Sequence, residues 1–205
     1  MERTKIFLDT EFTGLHKNTT LISIGLVSEC GKTFYAEMID YDYMQLNPWI
    51  TENVISNLTN QSMLNNSYTN SEGSMNCKCD SKWLEIYLKY WLLQFKEVEI
   101  WSDCLAYDWV LFCNVFGEAF NIPENIYYIP FDISTSFKEL GIDPDINREE
   151  FINYSAQVDT AEHWGVNAKH NALWDAYVIR ECYKKLDEIR KENKAIIENY
   201  KLISE

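Results

Sequence analysis

The stretch TKIFLDTEF, residues 4–12, combines an apolar run with two acids near its end. Its β-branched and aromatic residues favour an extended strand, and LISIGLVS (21–28) and KTFYAEMI (32–39) are similarly β-rich. The short gap between these last two runs contains Gly31, which is typical of a hairpin turn. The sequence therefore predicts three strands paired as an antiparallel meander.

The remainder of the chain is predicted to alternate between helices and short strands. Apolar residues at spacings of three and four indicate helices, and short β-rich runs indicate strands. The predicted elements are a short helix from Pro48, helices over 81–95, 106–117 and 133–140, strands over 97–102 and 126–129, and a long C-terminal helix with apolar positions from Leu173 to Ile189. The predicted inner face of the helix over 106–117 is Trp109, Val110, Cys113 and Phe116. This order predicts an α/β fold, a mixed sheet flanked by helices.

Two stretches lack a periodic pattern. Residues 57–80 are dominated by Asn, Ser and Thr, so we predict an exposed loop or insertion there, within one domain spanning 1–205. Residues 141–168 are acidic and irregular, and no element is predicted for them. The apolar side chains of the helix over 81–95 indicate core or the interface of a homodimer, which periodicity alone does not distinguish.

The charge balance restricts the class of ligand. Eighteen basic residues against 32 acidic ones give a formal net charge of −14 at pH 7. Such a field repels nucleic acid and anionic membranes unless bound cations or a local basic patch offset it. No apolar run reaches the length of about 18 residues that a membrane span needs, and the six cysteines do not suggest a disulfide framework. We therefore expect a cytoplasmic protein with reduced thiols and no membrane partner.

Asp9 and Glu11 are the first candidates for chemistry. Residues two apart on a strand project to the same face, and these lie at the strand's C-terminal end, where α/β sheets place their ligand sites. Adjacent carboxylates repel each other unless a proton or a cation intervenes, and such hard oxygen ligands suit Mg²⁺ or Mn²⁺. Taken alone, the pair is better explained by two solvent-exposed acids at a strand end.

Two later positions supply further acids and a histidine. Asp108 lies near the start of a predicted helix, where the helix dipole also favours it, and Asp103 competes with it in the same turn. His170 and Asp175 are separated by about 140° on an ideal helix, so they meet only if His170 precedes the helix. A histidine in that position is a candidate general base, or simply a polar surface residue.

The order of these residues is more specific than any one of them. FLDTEFTG (7–14), YDWVLF (107–112) and HNALWDA (170–176) resemble the three motifs of the DEDD 3′–5′ exonucleases, in the subclass that has a histidine in the third motif. The stretches LISIGLVSECGKTFYAE (21–37) and NPWITENVISNL (47–58) are most similar to the small mycobacterial-type 3′-exoribonuclease family. They are less similar to proofreading domains or to oligoribonuclease.

This resemblance implies an RNase H-like mixed sheet and an enzyme with two divalent cations, Mg²⁺ or Mn²⁺. Its expected partner is the 3′ end of single-stranded RNA or a 3′ overhang, from which it would release mononucleotides. The implied metal ligands are Asp9, Glu11, Asp108 and Asp175. His170 would accept the proton of the attacking water, and the implied contacts to the terminal nucleotide are Thr10, Phe12 and Thr13.

Two alternative functions are compatible with the sequence. Single-stranded DNA would be cut by the same chemistry, because no residue identifies a reader of the 2′-hydroxyl group. A module that only binds nucleic acid or protein would share the fold, although such a module would be free to lose catalytic residues. Since the net charge is strongly negative, we expect contact with a few nucleotides at a 3′ terminus rather than with a long backbone.

Overall fold

A computed structural model describes residues 3–59, 66–153 and 169–204 of the chain. The strands in these ranges are β1 (Thr4–Phe12), β2 (Leu21–Ser28), β3 (Thr33–Met38), β4 (Asn66–Thr69), β5 (Met75–Cys79), β6 (Val98–Ser102) and β7 (Phe131–Asp132). The α-helices are α1 (Pro48–Asn53), α2 (Ser81–Leu92), α3 (Leu105–Val115), α4 (Ile133–Glu139), α5 (Arg148–Phe151) and α6 (Ala172–Ser204).

The strands of these ranges form one mixed sheet in the order β4-β5-β3-β2-β1-β6-β7. β2 is antiparallel to both β1 and β3, so the predicted meander is confirmed. Gly31 takes the positive φ of 93° that its turn requires. Beyond the meander, β6 is parallel to β1 and β7 to β6, whereas β5 is parallel to β3 and antiparallel to β4.

Helices pack on both faces of this sheet. Ile6 and Leu8 of β1 belong to a core shared with α1, α2 and α3, whereas Phe7 packs with α4, α5 and α6. Because side chains alternate along a strand, Asp9 and Glu11 project to the same side as Phe7, toward α6. The two acids of β1 are thereby directed at the helix that carries the third predicted motif.

Side-chain caps start α1 and α2. The Asn47 side chain accepts a hydrogen bond from Ile50 N at 2.9 Å, with Pro48 in the first turn. The Asp80 carboxylate accepts from Trp83 N at 3.0 Å and so caps α2. No helix in the described ranges is both long and apolar enough to cross a lipid bilayer.

The amphipathic helix α2 has two apolar faces. Its inward residues are buried in the core that it shares with α1 and α3; these are Leu84, Leu88, Trp91 and Leu92. A second row, Trp83, Ile86, Tyr90 and Leu93, is exposed at or just beyond the helix. The core interpretation is confirmed for the inward face, and the homodimer stays a prediction.

The prediction of an exposed loop over 57–80 was wrong for much of this range. Residues 66–69 and 75–79 are β4 and β5, which extend the sheet beyond β3. Met75, Cys77 and Cys79 are buried and alternate with the less buried Asn76 and Lys78. This alternation has the period of a half-buried strand, but the surrounding Asn and Ser residues masked it in the sequence.

Two smaller predictions also need correction. Val110 was predicted on the inner face of α3, but it is 54% exposed, and the buried residues of the helix are Asp108, Leu111, Phe112 and Cys113. No strand covers 126–129 in the described structure: Ile126 makes one isolated bridge to Val98, and β7 begins at Phe131. Both errors concern short segments, in which too few residues define a helical or strand periodicity.

Gly25 allows the start of α6 to lie against the sheet. A Cβ atom at this position would lie 2.3 Å from the carbonyl carbon and oxygen of Ala172 and 2.4 Å from Leu173 N. These are backbone atoms, which cannot rotate away. We therefore expect Gly25→Ala to lower the free energy of unfolding by about 1–3 kcal/mol or more, measured by denaturant titration, because it overpacks this contact.

Gly31→Ala is the matched control for this measurement. A Cβ there meets no atom within 4 Å, so its cost is the strain of a positive φ alone. Both variants are expected to be destabilised, but only Gly25→Ala should change the amide signals of residues at the start of α6. A Gly25→Ala protein with wild-type stability and an unchanged spectrum would contradict the close approach.

Candidate active site

The two acids of β1 lie beside further carboxylates. Asp9 is half-buried, pairs across the sheet with Gly25, and lines a cavity of about 440 Å³ together with His170 and Asp175. Burial raises the pKa of Asp9 well above its ordinary value, and the carboxylates of Asp108 and Asp175 raise it further. Burial likewise raises the pKa of Glu11 to about 8, again with help from Asp175 and Asp108.

Asp108 contributes a buried carboxylate from the first turn of α3. Its side chain is almost inaccessible, and one carboxylate oxygen accepts a hydrogen bond from the Thr10 hydroxyl at 2.5 Å. The other accepts from the hydroxyl of Ser102, at the end of β6. Burial raises the pKa of Asp108 to about 6, and the two hydroxyl donors act against that rise.

His170 lies outside α6, as its approach to Asp175 requires. It takes a left-handed backbone conformation with φ of 66°, two residues before the helix begins. Its backbone N–H donates to Asp175 Oδ2 at 2.9 Å, and its ring meets the edge of the Trp49 ring at 5.0 Å between centroids. Burial lowers the pKa of His170, and the neighbouring Lys169 charge acts in the same direction.

Glu11, His170 and Asp175 can each offer a ligand atom such that all three atoms lie within 4.8 Å of one another. Burial raises the pKa of Asp175 to about 7, although the backbone N–H of His170 acts against that rise. Several half-buried or buried carboxylates in one place are costly without a compensating positive charge. This donor set, mostly hard oxygen with one imidazole, fits a divalent cation such as Mg²⁺ or Mn²⁺.

Asp103, which competed with Asp108 in the sequence, has a different partner. Its carboxylate forms an ion pair with Arg148 of α5, with Nη2 to Oδ1 at 2.7 Å and Nε to Oδ2 at 3.0 Å. Ser134 also donates to it at 3.0 Å. Asp103 thus lines the same cavity, but both of its oxygens are engaged by this charge-assisted pair.

The predicted contacts to a terminal nucleotide occupy three different environments. The Thr10 hydroxyl donates to Asp108, and Thr13 is buried with its hydroxyl donating to Gln45 Oε1 at 2.5 Å. Phe12 is half-buried and stacks on Tyr107, with ring centroids 5.1 Å apart and planes at 13°. Of the three, Phe12 offers an aromatic ring beside the acids of β1.

Sequence reasoning missed several residues around this cavity. Ser102, Trp49 and Arg148 contact predicted site residues from other elements, and no local pattern marked them. Of the irregular stretch 141–168, residues 144–149 line the cavity, and 154–168 lie outside the described residues. Of the other two histidines, His16 is exposed and His163 falls outside the described ranges.

Comparisons with known proteins identify a family and a similar fold. The family model of the 3′-5′ exoribonuclease Rv2179c-like domain matches residues 4–186. The Neurospora crassa Pan2 catalytic unit (protease and nuclease domain) is similar in fold, with a TM-score of 0.52 and 17% sequence identity. The match covers 98% of this chain and 30% of that one. No curated protein matches this chain in sequence. The predicted RNase H-like mixed sheet flanked by helices is thereby confirmed.

Proposed function

Because the chain belongs to the Rv2179c-like 3′-5′ exoribonuclease domain family, we propose that it hydrolyses single-stranded RNA or 3′ overhangs from the 3′ end, releasing nucleoside 5′-monophosphates. The observation that carries the proposal is the grouping of Glu11, His170 and Asp175, whose potential ligand atoms lie within 4.8 Å of one another. Asp9 lines the same cavity as His170 and Asp175. Membership makes the chain a 3′–5′ exonuclease; the substrate and the roles of individual residues are our proposal.

Four carboxylates would hold the metal ions: Asp9, Glu11, Asp108 and Asp175. Their raised pKa values show that the site favours positive charge, from protons or from cations. Two bound Mg²⁺ or Mn²⁺ ions would stabilise the negative charge that develops on the phosphate and on the attacking and leaving oxygens. The hydroxyls of Thr10 and Ser102 orient the Asp108 carboxylate toward this task.

His170 would take the proton from the attacking water. As the water oxygen bonds to phosphorus, the bond from phosphorus to the 3′ oxygen of the preceding nucleotide breaks. The imidazole lines the cavity next to Asp175, and its lowered pKa leaves it neutral and able to accept a proton near pH 7. The ring packs against Trp49 in a T-shaped contact, with centroids 5.0 Å apart.

The terminal nucleotide would bind beside Phe12. The stacked Phe12–Tyr107 pair provides an aromatic surface of the kind on which unpaired bases stack without sequence preference. Thr10 and Thr13 would line the same end of β1. Contact with only a few nucleotides agrees with the net charge of −14, which opposes the binding of a long backbone.

We further propose that the single domain works in a reducing compartment such as the cytoplasm. All six cysteines lie in the described ranges and none of them forms a disulfide. Four are buried, where they behave as small apolar side chains. Reduced cysteines agree with that compartment.

A gel time course tests the function with matched 5′-labelled RNA and DNA oligonucleotides in Mg²⁺, Mn²⁺ or EDTA. We expect a ladder that shortens from the 3′ end, is faster on RNA, and disappears in EDTA. An RNA with a blocked 3′ terminus is the control, because an exonuclease needs the free end. Faster degradation of DNA would favour the alternative substrate, and intact oligonucleotides in every metal would favour a module that only binds.

A further inference from the structure

A network of hydrogen bonds between buried polar side chains connects β3 to the turn that precedes α6. Glu37 and Tyr35 lie on β3 and Asn171 lies between His170 and α6; each is at most 1% exposed. The Tyr35 hydroxyl donates to Glu37 Oε1 at 3.0 Å, and Asn171 Nδ2 donates to the Tyr35 hydroxyl oxygen at 3.1 Å. Because a buried polar group without a hydrogen-bond partner is costly, the side chains of such a network have few alternative arrangements.

Asn171 uses its whole side chain in this turn. Nδ2 also donates to the Asn57 carbonyl at 3.0 Å, and Oδ1 accepts from Leu173 N at 3.1 Å and Trp174 N at 3.4 Å. One half of the amide therefore caps α6, while the other half ties the turn to Tyr35 and Asn57. The cap depends on Oδ1 and the contacts to Tyr35 and Asn57 depend on Nδ2, so a substitution can remove one and keep the other.

Glu37, at one end of this hydrogen-bond network, makes further contacts. Its carboxylate accepts from Thr59 N at 2.6 Å and lies 3.7 Å from the Lys78 ammonium group. Burial and the Glu37 charge raise the pKa of Tyr35, so the phenol keeps its proton and donates it toward Glu37. The Tyr35 oxygen then accepts the hydrogen bond from Asn171 Nδ2. The donor and the acceptor of each hydrogen bond in this network are thereby fixed.

The turn held in this way contains His170. Its φ of 66° is an unfavourable conformation for a residue with a side chain, so it persists only where neighbouring contacts impose it. On the other side of His170, the Lys169 carbonyl accepts from Asn57 Nδ2 at 2.9 Å. The backbone on both sides of the histidine is therefore fixed through side-chain amides.

We propose that Glu37, Tyr35 and Asn171 are positioning residues that set the place of His170 and Asp175 relative to the acids of β1. The inference rests on the proposed function, in which His170 and Asp175 take part in the reaction. None of the three touches the substrate in this scheme. They act through the His170 backbone, whose N–H meets Asp175 Oδ2 at 2.9 Å.

Two variants separate positioning from helix capping. Tyr35→Phe removes the hydroxyl and leaves the ring, while Asn171→Ser keeps an oxygen that can cap α6 but removes both amide donors. We expect each to lower kcat on RNA about tenfold or more with KM changed less than about twofold, since small misplacements of catalytic groups act on the chemical step. The double variant should be no slower than the slower single variant, because both substitutions interrupt the same hydrogen-bond network.

The imidazole signals of the metal-free protein give a second, independent measurement. The chain has three histidines, and the Trp49 ring edge makes the chemical shift of His170 sensitive to its position. Tyr35→Phe should shift the His170 line, assigned from the His170→Asn spectrum, and leave the other two lines in place. Tyr41→Phe is the control, a buried tyrosine in the core on the opposite face of the sheet, and should change neither the spectrum nor kcat.

An active wild type together with Tyr35→Phe and Asn171→Ser variants of unchanged kcat and unchanged His170 line would overturn the positioning network. A wild type inactive in every metal would instead overturn the proposed function. In that case the His170 line of the metal-free protein still decides whether the network positions this residue.

Discussion

Asp9→Asn is expected to lower kcat/KM on single-stranded RNA by about 10³-fold or more, since several kcal/mol of charge stabilisation depend on the cations that Asp9 helps to hold. The same change should stabilise the metal-free protein near pH 7. Burial raises the pKa of Asp9 well above its usual range, so the folded chain pays for keeping this carboxylate ionised. Each kcal/mol gained corresponds to a rise in Tm of about 2–4 °C.

These opposite signs make the measurement informative. Activity is followed on labelled RNA, and Tm is recorded in EDTA on the same preparation. Asp145→Asn is the control, an exposed acid lining the same cavity, and should change neither quantity appreciably. If Asp9→Asn lost activity and also melted earlier than the wild type, misfolding would explain the loss and the assignment of Asp9 would have no support.

His170→Asn should reduce kcat by about 10²–10⁴-fold, the usual contribution of a positioned general base. Asparagine suits this position better than alanine does, because it adopts left-handed backbone conformations more readily. The turn, with φ of 66°, and the backbone N–H bond to Asp175 should therefore survive. The loss then reports on the ring and its nitrogen atoms.

The measurement is single-turnover hydrolysis at saturating Mn²⁺, so that product release does not mask the chemical step. His16→Asn serves as the control because His16 is exposed. Retention of more than about half of the wild-type rate by His170→Asn would assign the proton to another acceptor. An unchanged Tm should accompany the loss if the ring acts in chemistry alone.

The elements with long and regular patterns were predicted from the sequence. β1 and β2 have the bounds that their β-rich runs indicated, and α2 begins at the cap that Asp80 provides. β4 and β5 were missed because β5 pairs with β3, which lies some forty residues away in sequence, and β4 pairs in turn with β5. Local composition favoured a loop there, and tertiary pairing overrode it.

The site divides in the same manner. Asp9, Glu11, Asp108, His170 and Asp175 were predicted from their order along the chain; the structure brings them together, and their roles stay a prediction. The groups that orient them were not found, because Ser102 and Tyr35 act through contacts between distant elements. A hydroxyl on one strand that binds a carboxylate on a helix leaves no periodic signal in a single sequence.

The contact between Gly25 and the start of α6 has a consequence for the protein during its synthesis. Asp9 and Glu11 are made early, whereas His170 and Asp175 are made late and reach the sheet only when α6 docks across Gly25. Because chains are made from the N-terminus onward, a nascent chain that lacks α6 carries Asp9, Glu11 and Asp108, three of the four candidate ligand acids, but neither His170 nor Asp175. The proposed metal centre can therefore form only after α6 has been made and has docked on the sheet.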